Sequence, residues 1–462
     1  MTHILLPGNL KGMKIEQLLS LDEGKILEFK ENSTSSHNII KTIVAFANTA
    51  GGTLILGVRD EDKVIIGIDN PLKEVEKITN LINDCISPKI FPNVDVFSYR
   101  NKSLLLIQIY PGANKPYYLK TSGIPKGVYY RVGSTNREAD QTMIEELRRS
   151  VTNKYFDETP LVDLNPEAID FRVASGFFES KRSLSKKDLE TLELVVSSHG
   201  KKVPTVGGII LFSPRREEFF PDCWIQAGRF AGTTKTNIID SFEIHDYPIT
   251  SIEKATDFVK KHSLFGYKIE GLRRTEHWSI PINAVREAII NAFAHSDYSQ
   301  RGAPIRLAIF DDRLEIENPG LLPFGLTVSD IIEGISKIRN KVIVRVLHEL
   351  GYIEKWGMGI ARIIEGCRDA GLPIPEFKEI GDRFRVIIYT TVMEPPKLDK
   401  IDQEIIQVIR TSEGLSTSEV AEKIGLSVRA VRERLKNLVT LNYLYVASTG
   451  PYDPHKKFKV RT

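Results

Sequence analysis

The stretch STSEVAEKIGLSVRAVRERLKNLVT, residues 416–440, decides the fold of the carboxyl-terminal region. Ser416 and Glu419 have the spacing of a capping box, which predicts that a helix begins here. Ser427 is a good N-cap for a second helix shortly afterwards. Apolar residues recur at helical spacing in that second helix and predict an inward-facing stripe: Val428, Val431, Leu435 and Leu438.

The segments around this stretch complete a small domain. DKIDQEIIQVIR (399–410) has the pattern of a preceding helix, and two β-rich runs follow at 443–449 and 456–462. A Gly450-Pro451 turn separates those two runs. Three short helices followed by two strands is the order of a winged helix-turn-helix domain.

The outward face of the second helix is basic. Arg429, Arg432 and Lys436 lie opposite the apolar stripe, and residues 399–462 carry 11 Lys or Arg against 8 Asp or Glu. Such a face fits the major groove of double-stranded DNA, where Arg can bind guanine edges and Lys can neutralise phosphate. Two other interpretations stay open: the charges only keep this face of the helix in contact with solvent, or the domain binds another protein. Whether Arg429 would read a base or a phosphate is also open.

The chain of 462 residues is long enough for about three domains. We place them at residues 1–160, 161–395 and 396–462, because TPLVDLNP (159–166) and Pro395-Pro396 resemble boundaries. No stretch approaches the roughly 20 apolar residues of a membrane span. Three dispersed cysteines and an amino terminus without a signal-like apolar run predict a cytoplasmic protein without disulfides or zinc.

Two α/β patterns fill the first 395 residues. Residues 25–58 read as strand, helix and strand, and a helix, two strands and a charged helix follow by residue 151. In the middle block, IRLAIFDDRLEIENPG (305–320) predicts a hairpin that turns at Asp311-Asp312, followed by two helices and a strand. The expected fold class is therefore α/β and α+β multidomain.

An apolar helix of the middle block carries a polar stripe. In VREAIINAFAH (285–295), Glu287, Asn291 and His295 lie four residues apart and therefore share one face. Burying each without a partner would cost about 1–3 kcal/mol, so a polar ligand, ion or neighbour is expected there. A carboxylate and an amide one turn apart can position water and hold a magnesium ion that bridges phosphates.

This stripe, together with Asn318-Pro319-Gly320 and Trp356-Gly357-Met358-Gly359, resembles the divergent GHKL-type ATPase domain also known as the carboxyl-terminal part of a RecG-like helicase. The resemblance implies an α/β sandwich that binds ATP and Mg²⁺. It gives Asn291 the role of magnesium ligand and Glu287 that of water activator. By the same resemblance, the glycines at 320, 357 and 359 would let the backbone approach the nucleotide phosphates. Asn318 stands where better-known relatives carry an adenine-reading Asp. A degenerate fold kept as a scaffold for dimerisation is the alternative.

Residues 15–150 resemble the AlbA-type DNA-binding domain shared with Schlafen proteins, through LEFKEN, AFANTAGGTLILGVRD and GVYYRVGSTNREAD. The resemblance implies contact with nucleic acid, to which Arg59, Arg131 and Arg137 would supply phosphate-directed charge. Schlafen RNases use acidic residues at the positions that correspond here to Glu23, Glu28 and Asp60, which implies metal-dependent cleavage as an alternative. Glu23 and Glu28 can meet only if the chain turns near Gly24.

Two functional hypotheses follow. The first is a DNA-binding transcriptional regulator, expected to be a homodimer and possessing a middle domain that senses a nucleotide. The second is an ATP- or metal-dependent enzyme acting on nucleic acid in defence against foreign DNA or RNA.

Overall fold

A computed structural model describes residues 15–19, 21–60, 62–152, 154–263, 265–270, 273–278, 280–353, 357–390, 399–412, 414–440, 443–447 and 457–460. Trp356, the Pro395-Pro396 boundary and the Gly450-Pro451 turn lie outside these residues.

The amino-terminal domain alternates helices and short strands, as its sequence pattern predicts. Its elements are α1 (Ile15–Leu19), β1 (Leu27–Lys30), α2 (Ser36–Asn48), β2 (Gly52–Leu56), α3 (Pro71–Cys85), β3 (Ile86–Ser87), β4 (Asn93–Tyr99), β5 (Lys102–Ile109), β6 (Tyr118–Leu119), β7 (Tyr129–Val132), β8 (Thr135–Glu138) and α4 (Gln141–Thr152).

A four-stranded sheet in the order β1-β2-β5-β4 forms the centre of this domain. Strands β1 and β2 are parallel, and the other pairs are antiparallel. Alternate residues of β5 enter different cores: Leu105 and Ile107 pack with α2 and α3, whereas Leu104 and Leu106 pack with Leu18 of α1. Both faces of the sheet are therefore covered. Because side chains on either face are buried, the sequences of β2 and β5 are nearly continuous apolar runs.

The middle domain is larger and contains a second sheet. Two 3-10 turns, at Phe156–Glu158 and Pro166–Ala168, lie between α4 and the first α-helix of this domain. Its elements are α5 (Phe171–Phe178), α6 (Asp188–Thr191), β9 (Val195–Ser198), β10 (Lys201–Pro204), α7 (Val206–Phe212), α8 (Arg216–Phe219), β11 (Ile225–Phe230), β12 (Ile238–Ile244), α9 (Pro248–His262), β13 (Phe265–Glu270), β14 (Arg273–Trp278), α10 (Ile282–His295), β15 (Ile305–Ile309), β16 (Arg313–Pro319), α11 (Val328–Ile332), α12 (Lys341–Glu349), α13 (Gly359–Asp369), β17 (Glu376–Ile380) and β18 (Arg383–Tyr389).

Six strands of this domain form one mixed sheet in the order β12-β11-β15-β16-β18-β17. Strands β15 and β16 are the predicted hairpin, paired antiparallel from Ile309↔Leu314 onward. Helices α9, α10 and α13 share the large apolar core with the sheet. The prediction for the end of the block was incomplete, because three helices and two strands follow the hairpin. Helix α11 has only five residues, too few to produce a helical periodicity.

The predicted boundary near residue 160 is anchored rather than loose. The Leu161 amide donates to the Pro204 carbonyl over 2.9 Å. Asp157 is fully buried and accepts hydrogen bonds from the backbone amides of Lys341 and Ile343, each at 3.0 Å. The connection between the two domains thus caps the amino terminus of α12.

The carboxyl-terminal domain has the expected winged-helix order. It comprises α14 (Lys400–Arg410), α15 (Thr417–Ile424), α16 (Val428–Thr440) and the antiparallel pair β19 (Leu444–Ala447) and β20 (Lys457–Val460). The capping box of Ser416 and Glu419 is present, and the Ala430 amide donates to Ser427 Oγ over 3.3 Å. The predicted stripe is buried except for its first member.

Val428 is 43% exposed and does not belong to the inward stripe, which corrects the prediction. It is the first residue of α16, so its side chain lies over the entry to the helix rather than over the core. Val431, Leu435 and Leu438 are buried and form the contact with α14 and α15.

Candidate functional site

The polar stripe of α10 faces a cavity. Glu287, Asn291 and His295 are half-buried and line a space of about 730 Å³ between α10, α12, α13 and the sheet. The other walls are mostly apolar, with Ile316 of β16 and Val386 of β18 at the back. The stripe therefore faces open space of the size that a small ligand would occupy.

Glu287 and Asn291 form the polar centre of this cavity. Asn291 Nδ2 lies 3.3 Å from Glu287 Oε1 and donates to it. The first residue of α13, Gly359, lies against both: a Cβ there would be 2.3 Å from Glu287 Oε1 and 2.9 Å from Asn291 Nδ2. Any side chain at this position would therefore displace the Glu287 carboxylate from the amino terminus of α13.

His295 and Asn318 lie at the inner end of the stripe. Burial lowers the pKa of His295 to about 4, and the charge of Arg339 adds to this effect, so the imidazole is neutral near pH 7. Asn318 is 5% exposed and donates to the Pro319 carbonyl over 3.0 Å. Both side chains contribute to the cavity wall, and Asn318 also fixes the end of β16.

The three predicted glycines occupy two different places. Gly357 and Gly359 line the cavity, and Gly357 has a left-handed φ of 65°. Gly320 has a φ of 96° but is not among the lining residues. A Cβ on Gly320 would lie 2.8 Å from the Cβ of Asp297, so this glycine permits close packing behind the wall.

Sequence reasoning missed the basic side of the cavity. Lys341, Arg345 and His348 of α12 line it and lie at helical spacing, a signal that the sequence contained. Lys341 pairs with Glu158, and Arg345 lies 2.9 Å from Glu193. These cations are therefore held in place by acidic partners from the start of the domain.

The basic face of α16 is exposed as expected. Arg429, Arg432 and Lys436 are all exposed, and within the described chain no ion pair involves Arg429 or Arg432. Arg434 on the same helix instead points to α14, where it lies 2.7 Å from both Asp399 and Asp402.

Arg131 of the amino-terminal domain is not available to phosphate, which corrects the prediction for this residue. It is fully buried and ion-paired with Glu28, and its Nε donates to the Gly24 carbonyl over 3.0 Å. A guanidinium in the interior requires such partners, and they neutralise its charge. Glu28 also lies 2.7 Å from Lys30, so its carboxylate is doubly compensated.

The chain does turn at Gly24, as the alternative required, since the Gly24 amide bonds to the Leu27 carbonyl. Glu23 Oε1 accepts from the Phe29 amide over 2.7 Å and lies 3.8 Å from Lys30 Nζ. Burial raises the pKa of Glu23 above its ordinary value, and the Phe29 hydrogen bond opposes this. Asp60 pairs with Lys63 at 3.1 Å.

No group of three potential metal-binding His, Cys, Asp or Glu side chains was found in the part of the chain that the structure describes. Arg59 is engaged by Glu31 at 3.2 Å and Asp62 at 3.1 Å, whereas Arg137 on β8 is exposed. Of the three arginines expected to face phosphate, Arg137 fits that expectation best.

Three regions of the chain match known protein families. Residues 23–140 match the family described as Schlafen, AlbA_2, and residues 398–444 match "Winged helix-turn-helix DNA-binding". Residues 302–388 match "Putative ATP-dependent DNA helicase recG C-terminal". The predicted domain types and their order are confirmed. The third match begins after α10, so the assignment of Glu287 and Asn291 depends on geometry.

A curated relative, an uncharacterized ATP-binding protein of Ureaplasma parvum, is 33% identical over 87 residues. The match covers 18% of this chain and only 24% of that relative.

Two solved structures show weaker likeness. A crystallised Corynebacterium diphtheriae protein is 19% identical, with 92% of this chain and 91% of that chain covered and a TM-score of 0.42. The amino-terminal domain of a RecG-related protein from Nitrosomonas europaea is 27% identical, with 28% and 95% covered and a TM-score of 0.23. These TM-scores are too low for either structure to inform the site.

The chain therefore combines an AlbA/Schlafen-like domain, an ATPase-like domain and a DNA-binding winged helix. Within the described residues, none of the helices has both the length and the apolar character needed to cross a membrane.

Proposed function

We propose that the protein is a transcriptional regulator that binds duplex DNA through α16 and binds an adenine nucleotide in the cavity of its middle domain. The observation that carries the DNA-binding part is the exposed basic face of Arg429, Arg432 and Lys436. A helix of this kind, preceded by a helix and a turn, enters the major groove with its amino-terminal half. Arg137 would give the amino-terminal domain a second contact with phosphate.

The nucleotide-binding part is supported by the size and donor set of the cavity. About 730 Å³ is within the range of small-molecule sites, roughly 300–1,000 Å³. Since Asn291 donates its amide hydrogen to Glu287, its amide oxygen is left to bind a hard cation such as Mg²⁺. The ATP-binding relative and the ATPase-like match agree with this choice of ligand.

When bound, Mg²⁺ with the nucleotide would supply the charge that offsets the phosphates. The chain's own residues then have distinct tasks. Glu287 can accept a proton from a water molecule, and the backbone at Gly357 and Gly359, both in the cavity lining, can approach the ligand. The neutral imidazole of His295 adds no charge at the inner end.

The regulator would act as a cytoplasmic homodimer. A twofold dimer is the commonest assembly and would present two copies of α16 to paired half-sites about one helical turn of DNA apart.

The test is a pair of double variants in the full-length protein. Arg429→Ala with Arg432→Ala removes two charges from the exposed face of α16. Lys400→Ala with Arg410→Ala removes two exposed charges from α14 and serves as the matched control. Binding to fragmented duplex DNA is measured by fluorescence anisotropy over a range of salt concentrations.

The α16 variant should lose most of its affinity, and its salt dependence should become shallower by about 2 in the slope of log K against log salt if both arginines contact phosphate. The control should resemble the wild type. Wild-type affinity in the α16 variant, with an unchanged melting curve, would remove α16 from the interface. A genome-wide footprint then separates a regulator, which occupies discrete sites, from a protein that coats DNA.

A further inference from the structure

One loop of the middle domain has two neighbours. The segment from Leu321 to Leu326, here called the shared loop, joins β16 to α11. On one side, Leu321, Leu322, Pro323 and Leu326 form part of the cavity wall. Any movement of this segment therefore changes the shape of the cavity.

The other side of the shared loop contacts the amino-terminal domain. Phe324 packs against an apolar cluster that contains Val128, Ile144 and Leu147. The Nζ of Lys115 lies 4.9 Å from the centre of the Phe324 ring. The ring thus contacts the neighbouring domain through both this cluster and Lys115.

Arg339 forms a first clamp on the loop backbone. One of its terminal nitrogens donates to the Leu321 carbonyl, and the other donates to Glu146 of α4 over 2.7 Å. The same nitrogen lies 3.6 Å from Asp297, whose Cβ is next to Gly320. The Arg339 side chain is 9% exposed and Glu146 is 18% exposed, so this ion pair is largely shielded from solvent.

Glu379 of β17 forms a second clamp. Its Oε1 accepts a hydrogen bond from the Leu322 amide over 2.8 Å. Lys25 of the amino-terminal domain donates to the same carboxylate at 2.7 and 2.8 Å. Two successive residues of the loop, Leu321 and Leu322, are therefore held by side chains whose other partner belongs to the amino-terminal domain.

We propose that the shared loop couples occupancy of the cavity to the contact between the middle and amino-terminal domains. The inference rests on the proposed nucleotide site and specifies its regulation. A ligand in the cavity stabilises the loop in its clamped form, and the clamped loop in turn stabilises the contact with α4 and Lys25. Because coupling between two sites is reciprocal, loosening either clamp must lower the affinity of the cavity for its ligand.

The clamps should raise ligand affinity because they order the shared loop before the ligand binds. With both clamps intact, the wall is already fixed when the ligand enters. Without a clamp, the ligand must fix the loop itself and pays that entropy on binding, which lowers its affinity. Coupling of the usual size would weaken binding about 5-fold or more.

The test uses conservative variants that lie outside the cavity lining. Glu146→Gln removes the charge that faces Arg339 and keeps the size of the side chain, and Lys25→Met does the same for Glu379. Glu74→Gln is the matched control, because Glu74 pairs with Lys77 within α3. Binding of AMP-PNP with Mg²⁺ is measured by calorimetry in the full-length proteins.

Hydrogen exchange supplies a readout that needs no ligand. In Glu146→Gln and Lys25→Met, the amides of Leu321 and Leu322 should exchange faster than in the wild type and in Glu74→Gln. Adding AMP-PNP to the wild type should slow exchange in α4, which does not line the cavity.

The outcomes separate the two proposals. If AMP-PNP does not bind the wild type, the proposed nucleotide site is wrong and the coupling falls with it. If AMP-PNP binds the wild type but its affinity is the same in all variants and α4 exchange does not change, the coupling alone is overturned. Weaker binding in both clamp variants, with the control unchanged, supports it.

Discussion

Gly359 is the residue at which a single methyl group should disturb the polar centre of the cavity. A Cβ at this position would lie 2.3 Å from Glu287 Oε1, whereas real Cβ contacts essentially never fall below 3.0 Å. In Gly359→Ala the carboxylate must therefore retreat, and the 3.3 Å hydrogen bond from Asn291 is lengthened or lost. The variant should bind AMP-PNP with Mg²⁺ at least about tenfold more weakly, equivalent to about 1.4 kcal/mol.

The effect of Gly359→Ala on stability should be modest, because the displaced atom is the end of a flexible side chain. Overpacking costs about 1–3 kcal/mol, and replacing glycine by alanine in a helix returns at most about 1 kcal/mol. A net loss of about 0–3 kcal/mol lowers Tm by no more than about 12 °C in a domain of this size. The folded protein therefore remains available for the binding assay.

Gly366→Ala on the same helix is the control. A Cβ there would meet Ala284 Cβ at 3.3 Å and Pro281 Cβ at 4.0 Å, away from the polar centre. Calorimetry should give this variant wild-type affinity. If Gly359→Ala also binds AMP-PNP like the wild type, the ligand does not contact the Glu287–Asn291 pair and the reasoning is refuted.

Two further outcomes concern buried charges. Arg131→Met should lower the free energy of unfolding in urea by up to about 3 kcal/mol, because it leaves the buried Glu28 carboxylate with only Lys30 as an ion-pair partner. Adding Glu28→Gln should partly restore it, and an unchanged urea midpoint in Arg131→Met would contradict the assigned ion pair. Burial raises the pKa of Asp157 from 3.8 to about 7, against the opposing hydrogen bonds from the start of α12. The stability that the protonated group contributes is complete below pH 4 and disappears as the pH rises through 7, so Asp157→Asn should flatten the dependence of unfolding free energy on pH in this range.

Local patterns account for the parts of the fold that could be predicted. The hairpin of β15 and β16 follows from alternating apolar residues around Asp311-Asp312, and each strand pairs with its neighbour in sequence. The helical repeat of Glu287 and Asn291 placed both on one face, which requires no knowledge of the rest of the chain. Helix caps at Ser416 and Ser427 are equally local.

Residues whose environment depends on distant parts of the chain could not be predicted. The sequence around Arg131 gives no sign that Glu28 and the Gly24 carbonyl will surround it. The same holds for Arg339, whose partners Glu146 and Leu321 become neighbours only when two domains meet. A charged side chain of this kind is predicted to be solvent-exposed until its tertiary contacts are known.

The position of Asp157 decides where the middle domain can be shortened. A truncated chain starting at residue 161, the boundary that the sequence suggested, would lack both Asp157 and Glu158. The amides of Lys341 and Ile343 would then lose their acceptor, at a cost of about 1–3 kcal/mol for each one left buried. An isolated middle domain should therefore begin before Tyr155 and keep the connecting segment as part of its own fold.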